Sequence, residues 1–395
     1  MTTQRDDLDP ATVLVTSGRS NDRHIVNPPV YRASTHLYAD CKALRKGLET
    51  NADGAFFYGR RGAPTQWALA EALTALEPGA AGTVLYPSGN AAIAGALLAA
   101  LDPGDVLLVT DNAYEPTRAI ATGLLARLGI EARFFDPLDM AGFAGKFCAR
   151  TRAVLLESPG SLTLEVCDIP ALAAAARANG AAVLLDNTWA SPLGFTALAH
   201  GCDIAIQSLT KHAGGHSDLM MGACAASARW YPRLRMVSQQ LGQVASPDDA
   251  ALALRGLRTI AVRLQRETAS ALRIAEWLRA RAEVAEVLCP MLPGAPGHEL
   301  WLRDFTSGCG LFSFVLAAGT DDAARCRFID ALELFGIGYS WGGFESLALP
   351  VDPARIRTAT RWPPDRLAIR LSIGLEDPDD LIADLGRGFA AMAAR

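Results

Sequence analysis

Residues 181–216 read AAVLLDNTWASPLGFTALAHGCDIAIQSLTKHAGGH, in which two short apolar runs each end in polar residues. The first run leads to Asp186, and the second leads to Ser208, Thr210 and Lys211 before a glycine-rich turn. Short, nearly continuous runs of Val, Leu and Ile are typical of strands in a parallel sheet that is covered on both faces. Because such sheets bind ligands at the carboxyl ends of their strands, these polar residues are candidates for a binding site.

The alternation of apolar strands and helical patterns extends outward from this segment and predicts an α/β protein. VLLVT, ARFFD and AVLLES are further short apolar runs, separated by helical patterns. Residues 1–62 are rich in turn formers and predict an extended arm. Residues 63–255 predict a large domain with a mostly parallel sheet flanked by helices. Long helical patterns followed by LFSFVLA and AIRLSIG predict a smaller α+β domain over residues 256–395.

Composition limits the classes of partner. The 395 residues carry a formal net charge of −5, whereas nucleic-acid binders concentrate Lys and Arg, so we expect a small-molecule ligand and no nucleic acid. The N-terminus lacks the pattern of a secretory signal, and no apolar run is long enough to cross a bilayer. We therefore expect a cytoplasmic protein without a membrane partner. The eight cysteines form no Cys-x-x-Cys pair, so neither a zinc site nor a disulfide framework is predicted.

Three segments carry groups suited to a phosphorylated, cationic cofactor. Ser88, Gly89 and Asn90 lie between a predicted strand and helix, where they favour either an anion such as phosphate or a simple helix cap. Asp186 is either a cap or the partner of a cationic ligand atom such as the ring nitrogen of pyridoxal phosphate (PLP). Lys211 follows a strand, where a lysine can form a Schiff base.

A metal site is not predicted. His212 and His216 are four residues apart, the spacing of a metal-binding pair on a helix. Gly214 and Gly215 lie between them and argue against a helix.

The strings SGNAAIAGAL, DNTWASP and SLTKHAGGHSDLMMG resemble the Cys/Met-metabolism PLP-dependent family of fold type I. The resemblance runs from Tyr58 to the C-terminus. FYGRRGAPTQWALAEALTALE, DNAYEPTR, LESPGSLTLEVCDIPAL and YSWGGFESLAL are most similar to its bacterial cystathionine β-lyase members. The resemblance implies PLP as cofactor and the α,β-elimination of L-cystathionine to homocysteine, pyruvate and ammonia in methionine biosynthesis.

The resemblance also implies roles for individual residues. Lys211 would hold PLP as a Schiff base and act as the catalytic base. Asp186 would pair with the pyridine nitrogen, and Tyr114 would stack on the ring and take part in catalysis. The phosphate contacts implied are Gly89, Asn90, Ser208 and Thr210, together with Tyr58 and Arg60 from the neighbouring subunit.

The substrate contacts implied are Arg370, which would bind the α-carboxylate, and Ser340 and Trp341 at the wall of the site. Contacts from a neighbouring subunit imply a catalytic dimer and, as in the family, a homotetramer.

Other interpretations of these residues remain open at this stage. Tyr114 and Trp341 also fit core aromatics, and Arg370 also fits an ion pair with the acidic run at residues 376–380. A broad cysteine-S-conjugate β-lyase, a γ-lyase and a non-catalytic PLP-fold binding protein are alternative functions. A dinucleotide-binding oxidoreductase is disfavoured, because no G-x-G-x-x-G follows a predicted strand.

Overall fold

The computed structural model describes residues 8–19, 25–50 and 54–393. These residues form two compact units. The first unit takes the described residues up to Ala100, together with Thr196–Ala199 and Asp203–Ile260. The second unit takes Leu101–Phe195, His200–Cys202 and the described residues from Ala261 onward.

The elements are numbered along the chain. The helices are α1 (Pro10–Thr16), α2 (Cys41–Thr50), α3 (Pro64–Ala75), α4 (Gly89–Ala100), α5 (Glu115–Ala119), α6 (Met140–Ala144), α7 (Ile169–Ala178), α8 (Ser191–Gly194), α9 (Tyr231–Leu241), α10 (Pro247–Leu257), α11 (Ile260–Arg279), α12 (His298–Asp304), α13 (Asp322–Asp330) and α14 (Pro378–Ala393). The strands are β1 (Gly82–Tyr86), β2 (Val106–Thr110), β3 (Glu131–Phe135), β4 (Thr151–Glu157), β5 (Ala182–Asp186), β6 (Ile204–Ser208), β7 (Gly222–Ala226), β8 (Val284–Leu288), β9 (Leu311–Leu316), β10 (Leu347–Val351) and β11 (Ala368–Ser372).

In the first unit, β7 lies between β1 and β6 and is antiparallel to both. Helix α4 packs on these strands. Its sequence GNAAIAGALLAA is apolar on all sides, which is typical of a buried helix, and Ala92, Ala96 and Leu97 have no exposed surface. Burial of α4 fixes its N-terminus next to the ends of β1 and β6.

In the second unit, β5, β4, β2 and β3 are hydrogen-bonded in that order, and every pair is parallel. The apolar residues of β4 and β5 are almost completely buried, as expected for parallel strands covered on both faces. At the carboxyl ends these apolar runs give way to acidic residues, and Glu157 and Asp186 are paired there in register. The prediction of a parallel sheet with polar residues after its strands is confirmed in this unit.

The second unit also contains an antiparallel sheet in the order β10, β11, β9 and β8. Helix α13 packs against α14 and β10. The predicted strands LFSFVLA and AIRLSIG correspond to β9 and β11. This sheet places Arg370 at the centre of β11, opposite Ser313 of β9 and Leu349 of β10.

The predicted arm falls partly outside the described residues, and its described part contains α1, α2 and a 3-10 turn at Gly59–Arg61. Its contact with another subunit and the domain boundaries at residues 62 and 255 stay predictions. Within the described ranges, no helix combines the length and apolar character needed to span a membrane.

Candidate active site

The connection between β1 and α4 carries the first group of residues predicted to bind phosphate. Ser88 caps the helix, since its hydroxyl oxygen accepts the Ala91 N–H at 3.1 Å. Gly89 begins α4 so close to β6 that an added Cβ would lie 2.8 Å from Ser208 Oγ. Only glycine permits this approach, and the N–H groups of a helix N-terminus favour an anion. Gly89 and Ser208 are therefore adjacent, with Asn90 exposed on the same first turn.

Lys211 lies in a turn directly after β6. Its N–H donates to Ser208 O at 3.2 Å, and its carbonyl accepts the Gly215 N–H at 2.8 Å. The residue is only partly accessible, which is unusual for a lysine. The turn therefore holds the lysine backbone next to the predicted phosphate residues. Because residues 209–216 contain no helix, His212 and His216 lack the helical geometry of a metal-binding pair.

Thr210 makes a different contact from the one the sequence suggests. Its hydroxyl donates to Met221 O at 3.2 Å and accepts the Met221 N–H at 3.1 Å. A hydrogen bond from this hydroxyl to a phosphate would replace the bond to Met221 O, because a hydroxyl has one hydrogen to donate.

Tyr58 and Arg60 lie on the surface of the first unit. Tyr58 is 46% exposed, and Arg60 Nη1 donates to Gln239 O at 2.9 Å within the same chain. Their predicted reach into a neighbouring subunit stays a prediction.

Asp186 is the last residue of β5 in the second unit. It accepts the Thr188 N–H at 3.1 Å and the Thr188 hydroxyl at 2.5 Å, which is a local Asx-type turn. The next helix, α8, begins only at Ser191 with Ala190 at its N-cap. Asp186 therefore does not cap a helix, and the interpretation as partner of a cationic ligand atom gains support.

Tyr114 immediately precedes α5 and is 45% exposed, so it is not a core aromatic. Its N–H donates to Glu157 Oε2 at 2.6 Å. Partial burial and then the Glu157 carboxyl raise the pKa of the Tyr114 phenol, Arg370 opposes them, and Asp186 adds to the rise. The second unit thus brings Asp186 and Arg370 each within electrostatic range of Tyr114.

Arg370 points one guanidinium nitrogen at Ser340 O, at 2.9 Å. Burial lowers the pKa of Arg370 from 12.5 to about 10, although Tyr114 and Tyr339 act in the opposite direction. Among the described residues no carboxylate pairs with this guanidinium. The nearby acidic run instead pairs elsewhere, Asp377 with Arg266 and Asp379 with Arg273. A desolvated cation without a carboxylate partner is suited to bind the carboxylate of a ligand.

The loop that precedes β10 carries Ser340 and Trp341. Ser340 has φ +81, a left-handed conformation that is uncommon for residues other than glycine. Gly342 N–H donates to Ser372 Oγ at 3.3 Å, which ties the loop to the end of β11. Trp341 is partly buried. Strained backbone of this kind is often found at binding sites, because the surrounding structure must hold it in place.

Two further acids, Asp111 and Glu157, are not predicted as site residues from the sequence, although Glu157 accepts the Tyr114 N–H. Asp111 has no exposed surface and accepts hydrogen bonds from the N–H and hydroxyl groups of Thr358 and Thr360 and from Arg118. Burial favours a raised pKa for Asp111, but the hydrogen bonds from Thr360 and Thr358 outweigh it and lower the pKa to about 2. The one signal in the sequence is position, since both acids follow apolar strands as Asp186 does.

The comparisons with known proteins agree with this arrangement. The model of the family described as Cys/Met metabolism PLP-dependent enzyme matches residues 11–390. The chain belongs to this family. A putative cystathionine beta-lyase of Rhizobium johnstonii is 48% identical over 372 residues, 93% of this chain and 92% of the relative. The cystathionine beta-lyase of Escherichia coli is 44% identical over 386 residues, 96% of this chain and 98% of the relative.

A crystal structure of cystathionine gamma synthase from Xanthomonas oryzae in complex with cystathionine matches with a TM-score of 0.88 at 33% identity, covering 98% of each chain. Membership of the Cys/Met metabolism family confirms the predicted fold class, the PLP fold type I, and the predicted cofactor, PLP.

The described residues fit PLP in each unit. The first unit supplies a helix N-terminus at Gly89, a close approach that leaves no room for a Cβ, and a lysine at the end of a strand. The second unit supplies a carboxylate at Asp186, an accessible tyrosine at Tyr114 and a guanidinium without a carboxylate partner at Arg370. These groups match the anionic phosphate, cationic ring and amino-acid substrate that PLP enzymes handle.

Proposed function

We propose that this protein is a cystathionine β-lyase, which converts L-cystathionine to homocysteine, pyruvate and ammonia. The observation that carries the proposal is the identity of 44% and 48% to two proteins described as cystathionine beta-lyases, over more than nine tenths of the chain. The cystathionine gamma synthase of similar fold is 33% identical. The β-lyases are thus the nearer relatives of these three.

Arg370 binds the substrate in this proposal. Its guanidinium has five N–H donors, one of which is directed at Ser340 O. The remaining donors form two parallel hydrogen bonds with the α-carboxylate, which orients the substrate. Ser340 and Trp341 lie beside the bound substrate, and the hydrogen bond from Gly342 N–H to Ser372 Oγ holds their loop against β11.

Lys211 moves the proton. Its Nζ removes the proton from Cα of the substrate, and a position in a turn after a buried strand holds the amine in a fixed place. When bound, PLP supplies an electron-accepting ring for the pair of electrons left at Cα. Asp186 would stabilise the positive ring nitrogen, and the hydrogen bonds that it accepts from Thr188 orient its carboxylate.

Elimination completes the reaction. The Cβ–S bond breaks, and Lys211 or Tyr114 donates a proton to the leaving sulfur of homocysteine. The three-carbon fragment takes up water and yields pyruvate and ammonia. Gly89, Asn90, Ser208 and Thr210 would hold the phosphate, Thr210 by exchanging its hydrogen bond to Met221 O for one to the phosphate, and the N-terminus of α4 would add a favourable dipole.

The subunit assembly, the domain bounds and the cellular location are part of the same proposal. Tyr58 and Arg60, from the arm at residues 1–62, reach the phosphate of a neighbouring subunit in a homotetramer of two catalytic dimers. Residues 63–255 form the cofactor domain and residues 256–395 the smaller domain, and the enzyme works in the cytoplasm on a small-molecule substrate.

The test is incubation of the purified, PLP-loaded protein with L-cystathionine, with the free thiol and the keto acid identified. Homocysteine with pyruvate supports the proposal. Cysteine with 2-oxobutyrate would replace it with a γ-lyase, and turnover only of other cysteine S-conjugates would make it a broad β-lyase. A protein that holds PLP but turns over none of these substrates would be a binding protein.

A further inference from the structure

Two acidic side chains lie next to each other at the carboxyl end of the parallel strands. Glu157 ends β4 and Asp186 ends β5, and the two residues are paired in register. Paired residues of neighbouring parallel strands point to the same face and are about 4.8 Å apart. Two carboxyl groups on such neighbouring residues do not both ionise readily, because each charge opposes the other.

Hydrogen bonding and burial favour different protonation states for the two acids. Asp186 accepts both a backbone N–H and a hydroxyl from Thr188, and such bonds favour a carboxylate. Burial, followed by the charge of Asp186, raises the pKa of Glu157 well above its usual range, and Glu165 adds to this effect. The Tyr114 N–H and Arg357 oppose the rise without cancelling it. Of the two acids, Glu157 is thus the one whose neutral form the surroundings favour.

Glu157 also holds the backbone of Tyr114. The 2.6 Å bond from the Tyr114 N–H to Glu157 Oε2 forms just where the chain turns into α5. The segment before this point is fixed separately, because Asp111 is bound to Thr358 and Thr360. The Tyr114 carbonyl accepts the Arg118 N–H at 3.1 Å within the helix, so the bond to Glu157 is the second anchor of the Tyr114 backbone and ties it to β4.

We propose that Glu157 is a positioning residue, which holds the Tyr114 backbone in place beside Asp186 so that the phenol ring meets PLP in a fixed orientation. A hydrogen bond acceptor is needed for this task, and a negative charge is not. The inference rests on the cofactor roles proposed above for Tyr114 and Asp186.

The consequence is that glutamine can replace Glu157 whereas alanine cannot. Glutamine keeps a side-chain oxygen that accepts the Tyr114 N–H and has nearly the shape of a neutral carboxyl group. Alanine removes the acceptor and leaves the N–H without its partner. One such bond contributes about 1 kcal/mol, so holding Tyr114 in place without it should lower the affinity for PLP by up to about tenfold.

The experiment titrates PLP into the apo form of each variant and measures the dissociation constant and the circular dichroism of the bound cofactor. We expect Glu157→Gln to bind PLP within about twofold of wild type, and Glu157→Ala to bind about tenfold more weakly with a weaker cofactor signal. Glu115→Ala is the matched control, since it removes an exposed carboxylate next to Tyr114 and should change neither value. If Glu157→Ala does not fold, Glu157→Asp, which is too short to reach Tyr114, takes its place with the same expected loss.

Wild-type values for Glu157→Ala would overturn the inference, and so would equal losses in the glutamine and alanine variants, which would show that the charge matters. Asp186→Ala distinguishes this failure from failure of the cofactor roles on which it rests. If Asp186→Ala weakens PLP binding and Glu157→Ala does not, the inference alone is wrong. If Asp186→Ala binds PLP as wild type does, the cofactor role proposed for Asp186 is wrong.

Discussion

Replacing Arg370 by alanine should lower kcat/KM for L-cystathionine by about 10²- to 10⁴-fold, mainly through KM. Two charge-assisted hydrogen bonds to the α-carboxylate contribute about 1.5–3 kcal/mol each, and both are lost. They bind the carboxylate equally in the ground state and the transition state, so kcat should fall much less than KM rises. Arg370→Lys keeps the charge but not the planar fork, and should recover only part of the loss.

The same substitution should leave the free energy of unfolding unchanged or raise it. Burial lowers the pKa of Arg370 from 12.5 to about 10, so the folded protein holds this cation charged at a cost of roughly 3 kcal/mol at any pH well below 10. Alanine removes that cost, while it forfeits only the hydrogen bond to Ser340 O, which is worth about 1 kcal/mol.

The assay is steady-state kinetics at saturating PLP, with urea unfolding of the same preparations. Arg355→Ala is the matched control, because this arginine is 82% exposed and its contact with Asp352 is 3.8 Å long. An Arg370→Ala protein with wild-type KM would refute the carboxylate role. A large loss of stability on the same change would refute the argument from desolvation.

Three further predictions concern the lysine, the glycine turn and a buried acid. After borohydride reduction, peptide mapping should find PLP on Lys211, and label on another of the four lysines would contradict its role. Lys211→Ala should abolish turnover and leave the far-ultraviolet circular dichroism unchanged. Gly89→Ala should destabilise the apo protein by about 1–3 kcal/mol, since its Cβ would meet Ser208, and Ser208→Gly should restore part of the loss in thermal unfolding; no recovery would rule out the clash as the cause. Burial raises the pKa of Glu77 to about 7, so the folded protein loses stability as pH rises from about 4.5 to 7 and this buried carboxyl is forced to ionise. The free energy of unfolding of Glu77→Gln should therefore exceed that of wild type by up to roughly 3 kcal/mol at pH 8 and by little at pH 4, as measured by urea unfolding.

Local patterns in the sequence are enough to predict most of the strands. β2, β4, β5 and β6 each contain a run of three or more apolar residues because they are buried on both faces, and such runs can be recognised without an alignment. Lys211 and Asp186 stand out for the same reason, since a polar residue directly after such a run is already at the ligand-binding edge of the sheet.

β7 is missed because GACAA has no β-branched or aromatic residue. Small residues are required there by packing, since a Cβ on Gly222 would lie 2.3 Å from Ser88 O. This requirement depends on two segments more than one hundred residues apart, and so it leaves no local pattern.

The sequence by itself determines the α/β class, the family resemblance and the chemical types available for catalysis, because these depend on residues near one another in the chain. Only the tertiary structure decides which groups are charged and which are already engaged. The bond that Tyr114 donates to Glu157 spans 43 residues, and the bonds that Thr358 and Thr360 donate to Asp111 span nearly 250. Hydrogen bonding and desolvation arise from contacts of this range, so strand order and loop packing, rather than composition, set the ionisation of the site.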